Sequence, residues 1–226
     1  MRLLSYPLGP STPPFLENPP IGFRQVSSIK DGDVANWFEI KTINHNGTHV
    51  DVPYHYWEEG PSLTDLSIDD FLFEHPLLLD VPKADGELIT KDDLAPHSAE
   101  FGQSDLLLIR TGYAELYRSS EPKRYGTKAP GFHPNTADVL LSPDSKLRGI
   151  VMDIPSASSP LHLDLGNDFH RGVLGATGKK RYLFLVEDGK LDANLEPSDL
   201  WRVFVVPLFW EKLDASPCTV IAEPCK

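Results

Sequence analysis

The sequence predicts a mixed α/β (α+β) fold in a single domain. Apolar, β-rich segments recur along the chain, short helix starts lie between them, and no break in composition divides it in two. Residues 1–25 come first and hold six of the 21 prolines, which predicts an ordered arm rather than a helix. Residues 26–226 then form the body. Its strand candidates are WFEIKTI (37–43), HPLLLDV (75–81), SDLLLIRT (104–111), RGIVMDI (148–154), RYLFLVE (181–187), RVFVVPL (202–208) and CTVIAEP (218–224). Several are nearly continuous apolar runs, the pattern of strands buried on both faces. Ser67 and Thr90 each stand three residues before an acid, a capping-box spacing that opens a helix. GYAELYRS (112–119) and NTADVLLS (135–142) also read as helical, the second with Asn135 as its cap.

Composition excludes several classes of function. Lys plus Arg number 21 against 33 for Asp plus Glu, a net charge of −12, and such a surface repels phosphate backbones and anionic lipid. No nucleic-acid or membrane partner is expected. No apolar run reaches the roughly 18 residues of a membrane span, and MRLLSYPLGP is too short and proline-broken for a signal peptide. The expected compartment is the cytoplasm, with Cys218 and Cys225 reduced and without chemistry. GATG (175–178), followed by the charged turn KKR (179–181), lacks the spacing of a phosphate loop.

The chemistry concentrates in HNGTHVDVPYH, residues 45–55. His45, His49, Asp51 and His55 all occupy odd positions, so extended chain would place them on one face. Burying three imidazoles and a carboxylate together is costly unless something satisfies them. On a straight strand His45 and His49 would stand ~13 Å apart, whereas metal ligands converge at ~2.0–2.2 Å from the ion. The chain must therefore bend between them, and Gly47 permits the bend. Asp51 reaches the same ion from the face of His49, and Pro53 turns the chain so that His55 projects nearby. Imidazoles with a carboxylate suit Zn²⁺, Mn²⁺ or Fe²⁺. A glycan on the N-G-T sequon at 46–48 would block such a site.

Three ligands from one segment leave coordination positions open, as a catalytic site requires. A divalent ion lowers the pKa of its water from 15.7 toward ~7 and polarises a carbonyl. A nearby imidazole that is not a ligand is the natural general base, and His55 fits that role. Of the other histidines, His75, His97, His133 and His162 have no partner at ligand spacing and read as structural, while nothing local marks His170 either way.

HNGTHVDVPYH resembles the H-x-G-T-H-x-D-x-P-x-H signature of the metal-dependent cyclase family, which includes bacterial kynurenine formamidase and isatin hydrolase. LSYPLGPSTPPF is similar to that family's N-terminal arm, and LLLIRTGY (106–113) to its buried strand. GIVMDIPS (149–156), FHRGVL (169–174) and LFLVED (183–188) are similar to its C-terminal half. The resemblance implies a swivelling β/β/α fold with a barrel-like core, assembled as a homodimer or homotetramer. It implies that His45, His49 and Asp51 hold a first Zn²⁺ or Mn²⁺, that Asp51 with His170 and Glu187 holds a second, and that His55 is the base. Phe15 stands where the formamidases carry a substrate-touching Trp, which implies a substrate contact there.

The leading expectation is a hydrolase that opens an amide or lactam C–N bond of a small molecule. A ring-forming or dehydrating cyclase with the same metal site is the alternative, and a non-catalytic, metal-stabilised chain is a third. The arm's apolar residues Leu3, Leu4, Tyr6, Phe15 and Leu16 are expected to pack across a homodimer interface.

Overall fold

A computed structural model describes residues 1–177 and 181–224. Lys179, Lys180 and Cys225, which bear on the expected charged turn and on the cysteine pair, lie outside the described residues. In chain order the strands are β1 (Arg2–Leu3), β2 (Gly22–Ser27), β3 (Trp37–Lys41), β4 (His49–Asp51), β5 (Leu72–Phe73), β6 (Pro76–Asp80) and β7 (Leu88–Ile89). β8 (Leu106–Arg110), β9 (Gly131–Phe132), β10 (Gly149–Met152), β11 (Phe184–Glu187), β12 (Arg202–Pro207) and β13 (Ala215–Glu223) follow.

One sheet dominates, in the order β5-β12-β13-β4-β11-β10-β8-β6, with β1 paired to β13. Its two ends, β5 and β6, are only two residues apart in the chain. The sheet must therefore curl back on itself, which makes it a nearly closed barrel. At that seam the Asp105 carboxylate accepts the backbone N–H groups of Glu74 (2.9 Å) and His75 (2.8 Å).

Alternation along the strands divides the apolar residues between two cores. Leu106, Leu108, Val151, Phe184 and Val186 point into the barrel with Val50, Val52 and Val220. Leu107, Ile109, Ile150, Met152 and Leu185 point outward against Leu94, Phe101, Leu140, Phe169 and Val173 of the covering helices. This double burial explains the continuous apolar runs of β8, β10 and β11. The capping boxes at Ser67–Asp70 and Thr90–Asp93 are present, opening a 3₁₀ turn (Ile68–Phe71) and a short helix (Lys91–Leu94).

β3 is the expected strand over WFEIKTI, and with β2 it forms a separate hairpin on which Trp37 is 67% and Ile40 64% exposed, alongside Phe23 and Phe38. One expectation needs correction. The arm largely packs on its own chain. Leu4 joins the barrel core and Tyr6 the outer core, stacked on Tyr117 at 3.6 Å between ring centroids. Pairing of β1 with β13 holds Leu4 there, so an interface is not needed to bury it or Tyr6. No helix among the described residues is long and apolar enough to cross a membrane.

Candidate metal centre and cleft

The register of the sheet assembles the first part of the site. β4 lies between β11 and β13, with His49 opposite Glu187 and Asp51 opposite Leu185. Val50 and Val52 face the barrel, so His49, Asp51 and Glu187 face outward beneath the helix Leu163–Val173. That helix packs through Phe169 and Val173, and it drops His170 onto the same spot. His170 Nε2 lies 3.4 Å from Glu187 Oε1, and His49 Nε2 lies 3.3 Å from Glu187 Oε2.

His45 and His55 arrive differently from the extended chain expected over 45–55. Only 49–51 is strand; 44–48 is a turn, and Pro53–His55 is a 3₁₀ turn. The expected bend is at Gly47, where φ is +64°. The backbone there favours glycine, and a Cβ would also make the Leu8 side chain shift from its Cδ2 contact at 2.3 Å. The bend returns His45 to within 5.1 Å of the His49 ring, and the second turn sets His55, its ring tilted, 4.3 Å from His45. His45, His49, Asp51, His55, His170 and Glu187 therefore lie close together.

A fit test for a metal comes from the polar groups themselves. His49 Nε2 and both Asp51 oxygens are buried with no hydrogen-bond partner. His45 Nδ1 lies 3.1 Å from Asp51 Oδ1 but is not aligned for a hydrogen bond. Buried polar groups are ordinarily paired, and orphans that converge from a carboxylate and imidazoles match the donor set of a divalent ion. His49, Asp51 and Glu187 offer donor atoms all within 4.8 Å of one another, as do His45, Asp51 and His55. His55 thus stands within reach of an ion as well as of a substrate.

Each imidazole is steered by its other nitrogen. The Nδ1–H of His49 donates to Gly47 O (2.7 Å) and that of His170 to Gly166 O (2.8 Å), which leaves both Nε2 atoms facing the centre. Asp214, which sequence reasoning missed, accepts from His45 Nε2 (3.0 Å) and from His55 Nδ1 (2.7 Å). The charges of these neighbouring groups act strongly on one another. Burial disfavours the imidazolium of His45, but Asp51 and Asp214 outweigh it and hold this group up at about 9. Burial raises Asp51 as well, yet the facing imidazoles of His45, His55 and His49 keep it well below the ordinary carboxylate range. Burial and the Asp51 charge push Glu187 up, and the neighbouring imidazoles of His170 and His49 pull it lower still.

The centre opens into a cleft of 280 Å³ lined by Phe15, Asn18, Ile43, Tyr56, Pro155, Leu163 and Asn167. Phe15 is thus at the cleft wall. Tyr56 stacks on His170 (4.9 Å) and donates to Asn167 Oδ1 (2.6 Å). A wider groove of 540 Å³ lies elsewhere, but its Arg148 and Arg181 are engaged with backbone carbonyls and carry no comparable cluster.

The Cyclase family model matches residues 3–158, well over half of the chain and including the whole 45–55 motif. The chain belongs to the Cyclase family. An uncharacterised protein of Haemophilus influenzae is 34% identical over 118 residues, which cover 52% of this chain and 82% of that protein. Among solved structures, this Cyclase-family chain is similar to an isatin hydrolase bound to the product analogue thioisatinate. The TM-score is 0.78 at 19% identity, covering 99% of this chain and 92% of that one. Isatin hydrolase A from Labrenzia aggregata has a TM-score of 0.78 at 18% identity, covering 99% and 93% of the two chains. A structure described as a potential metal-dependent hydrolase with cyclase activity gives 0.73 at 21%, covering 100% and 98%. These likenesses establish a shared barrel-like fold.

Proposed function

We propose that this protein is a metal-dependent hydrolase that opens an amide or lactam C–N bond of a small molecule. The observation that carries this reading is the convergence of partnerless, buried donor atoms on His49 and Asp51 at the floor of a cleft. His45 Nδ1, His49 Nε2 and Asp51 would hold a first Zn²⁺ or Mn²⁺, and Asp51, His170 Nε2 and Glu187 a second. An ion held there supplies an acidified water and polarises the substrate carbonyl.

The chain's own residues do the rest. Phe15, Ile43 and Leu163 give the cleft apolar walls that exclude water from a flat ring, while Asn18 and Asn167 offer amides for orientation. His55 takes a proton from the attacking water and delivers one to the departing nitrogen, so water is divided between carbonyl carbon and amine. Residues 1–25 act as an arm that supplies Phe15 to the cleft, and residues 26–226 as the catalytic body. The exposed Phe23, Trp37, Phe38 and Ile40 support a homodimer or homotetramer joined through the hairpin. The isatin hydrolases similar to this chain support the hydrolytic reading over ring formation.

Elemental analysis of purified protein should find one to two divalent ions per chain, and chelation should abolish hydrolysis of an aryl formamide and a lactam. Protein without Zn, Mn or Fe whose turnover ignores chelator would defeat the proposal.

A further inference from the structure

His55 is a base only if one ring nitrogen is free of its proton and faces the cleft. Its Nδ1 is 2.7 Å from Asp214 Oδ2, and the same oxygen is 3.0 Å from His45 Nε2. An ionised carboxylate can only accept, so each imidazole must present an N–H to it. One oxygen has lone pairs enough for both. The other oxygen, Oδ1, accepts from Asn44 Nδ2 at 2.7 Å, which fixes the plane of the carboxylate.

The backbone makes the arrangement rigid. Asp214 O accepts the Val52 N–H at 3.0 Å, one residue beyond Asp51, and Ala215 pairs with Asp51 in the sheet. The carboxylate is therefore pinned to the strand that carries two of the candidate ligands. His49 and His170, the other imidazoles of the site, rest on backbone carbonyls instead. A shared carboxylate under the candidate base and a candidate ligand is a different device.

We infer that Asp214 is a positioning residue: it fixes the Nδ1–H tautomer of His55, leaving Nε2 as the basic atom, and turns His45 so that Nδ1 faces the metal. This inference rests on the hydrolase reading above, in which His55 is the base. Asp214 touches neither substrate nor ion; it acts through two rings. An asparagine in its place can satisfy Asn44 only by turning its own amide N–H groups toward the histidines. That arrangement disfavours the Nδ1–H tautomer, the same fault that a carboxylate-to-amide change introduces beneath a catalytic histidine in serine proteases.

The test combines spectroscopy with kinetics on the zinc-loaded protein. Long-range ¹H–¹⁵N NMR of ¹⁵N-histidine-labelled wild type should show His55 protonated at Nδ1 and bare at Nε2; a His55 protonated at Nε2 overturns the inference without any variant. Asp214→Asn, assayed on an aryl formamide with saturating zinc, should shift that tautomer. It should lower kcat roughly 10- to 10³-fold with KM little changed, and Asp214→Glu should recover part of the loss. In the His55→Ala background the same substitution should cost less than it does in wild type, the remainder being its effect on His45. If His55→Ala is impaired and Asp214→Asn multiplies that loss in full, Asp214 does not act through His55 and the inference fails while the hydrolase reading stands. If His55→Ala itself keeps full activity, the base assignment fails, and the tautomer signal then has no catalytic meaning.

Discussion

The two halves of the site are built on different physical terms. His49, Asp51, Glu187 and His170 are almost wholly buried and are delivered by strand register and one helix. His45, His55 and Asp214 stay 22%, 25% and 28% exposed and are delivered by turns. The buried half carries the orphaned atoms, His49 Nε2 and both Asp51 oxygens. In the open half His45 and His55 are paired with Asp214, and the cleft touches both halves, reaching Asp51, His170 and Glu187 as well as His45 and His55. The buried set suits holding an ion, with His45 reaching it from the open side, whereas the partly exposed His55–Asp214 pair suits moving protons to and from a substrate.

Substitutions should separate the halves. His49→Ala should cost the most, because it removes the innermost imidazole: metal content and turnover should fall together to background. His55→Ala should leave metal content near wild type while kcat falls roughly 10²–10⁴-fold. Should that variant lose its metal as completely as His49→Ala, His55 is a ligand and the division between the halves disappears.

Gly47→Ala tests the joint between them. A methyl group forced into a left-handed turn and against Leu8 should destabilise the fold by roughly 2–4 kcal/mol, read from denaturant midpoints. An unchanged midpoint would mean that the turn relaxes freely and does not set the position of His45.

The smallest expected effect is one of pH on the chelated protein. His45 is held up at about 9 in the folded chain against an ordinary value of 6.5, so folding gains from its charge. That gain is complete below pH 6.5 and is lost as pH rises to about 9. Denaturant midpoints of chelated protein should fall across this window, and those of His45→Gln should fall less. Equal slopes would remove His45 from the account.

The strands were legible because burial on both faces writes long apolar runs, as in β8 and β10. The odd spacing of His49 and Asp51 was equally plain. The helix Leu163–Val173 was not read from local pattern, since LDLGNDFHRGV mixes charges with two glycines. Gly166 is needed there because a Cβ would lie 2.3 Å from Ser158 Oγ, a tertiary demand invisible in sequence. His170 and Glu187 were accordingly reached only through family resemblance. Asp214 was missed because 159 residues separate it from His55 and only the pairing of β13 with β4 brings them together. β3 differs from β8 and β10 in sequence too: Glu39, Lys41 and Thr42 interrupt its apolar residues, as befits an exposed hairpin.

The exposed hairpin is tethered closely to the chemistry. Only residues 42–44 separate the end of β3 from His45; among them Ile43 forms part of the cleft wall, and Thr42 Oγ1 accepts from Asn46 Nδ2 (3.2 Å). The hairpin is therefore a lever whose short arm ends at the candidate ligand His45. Any surface that covered Phe38 and Ile40 would therefore lie within a few residues of the cleft wall at Ile43.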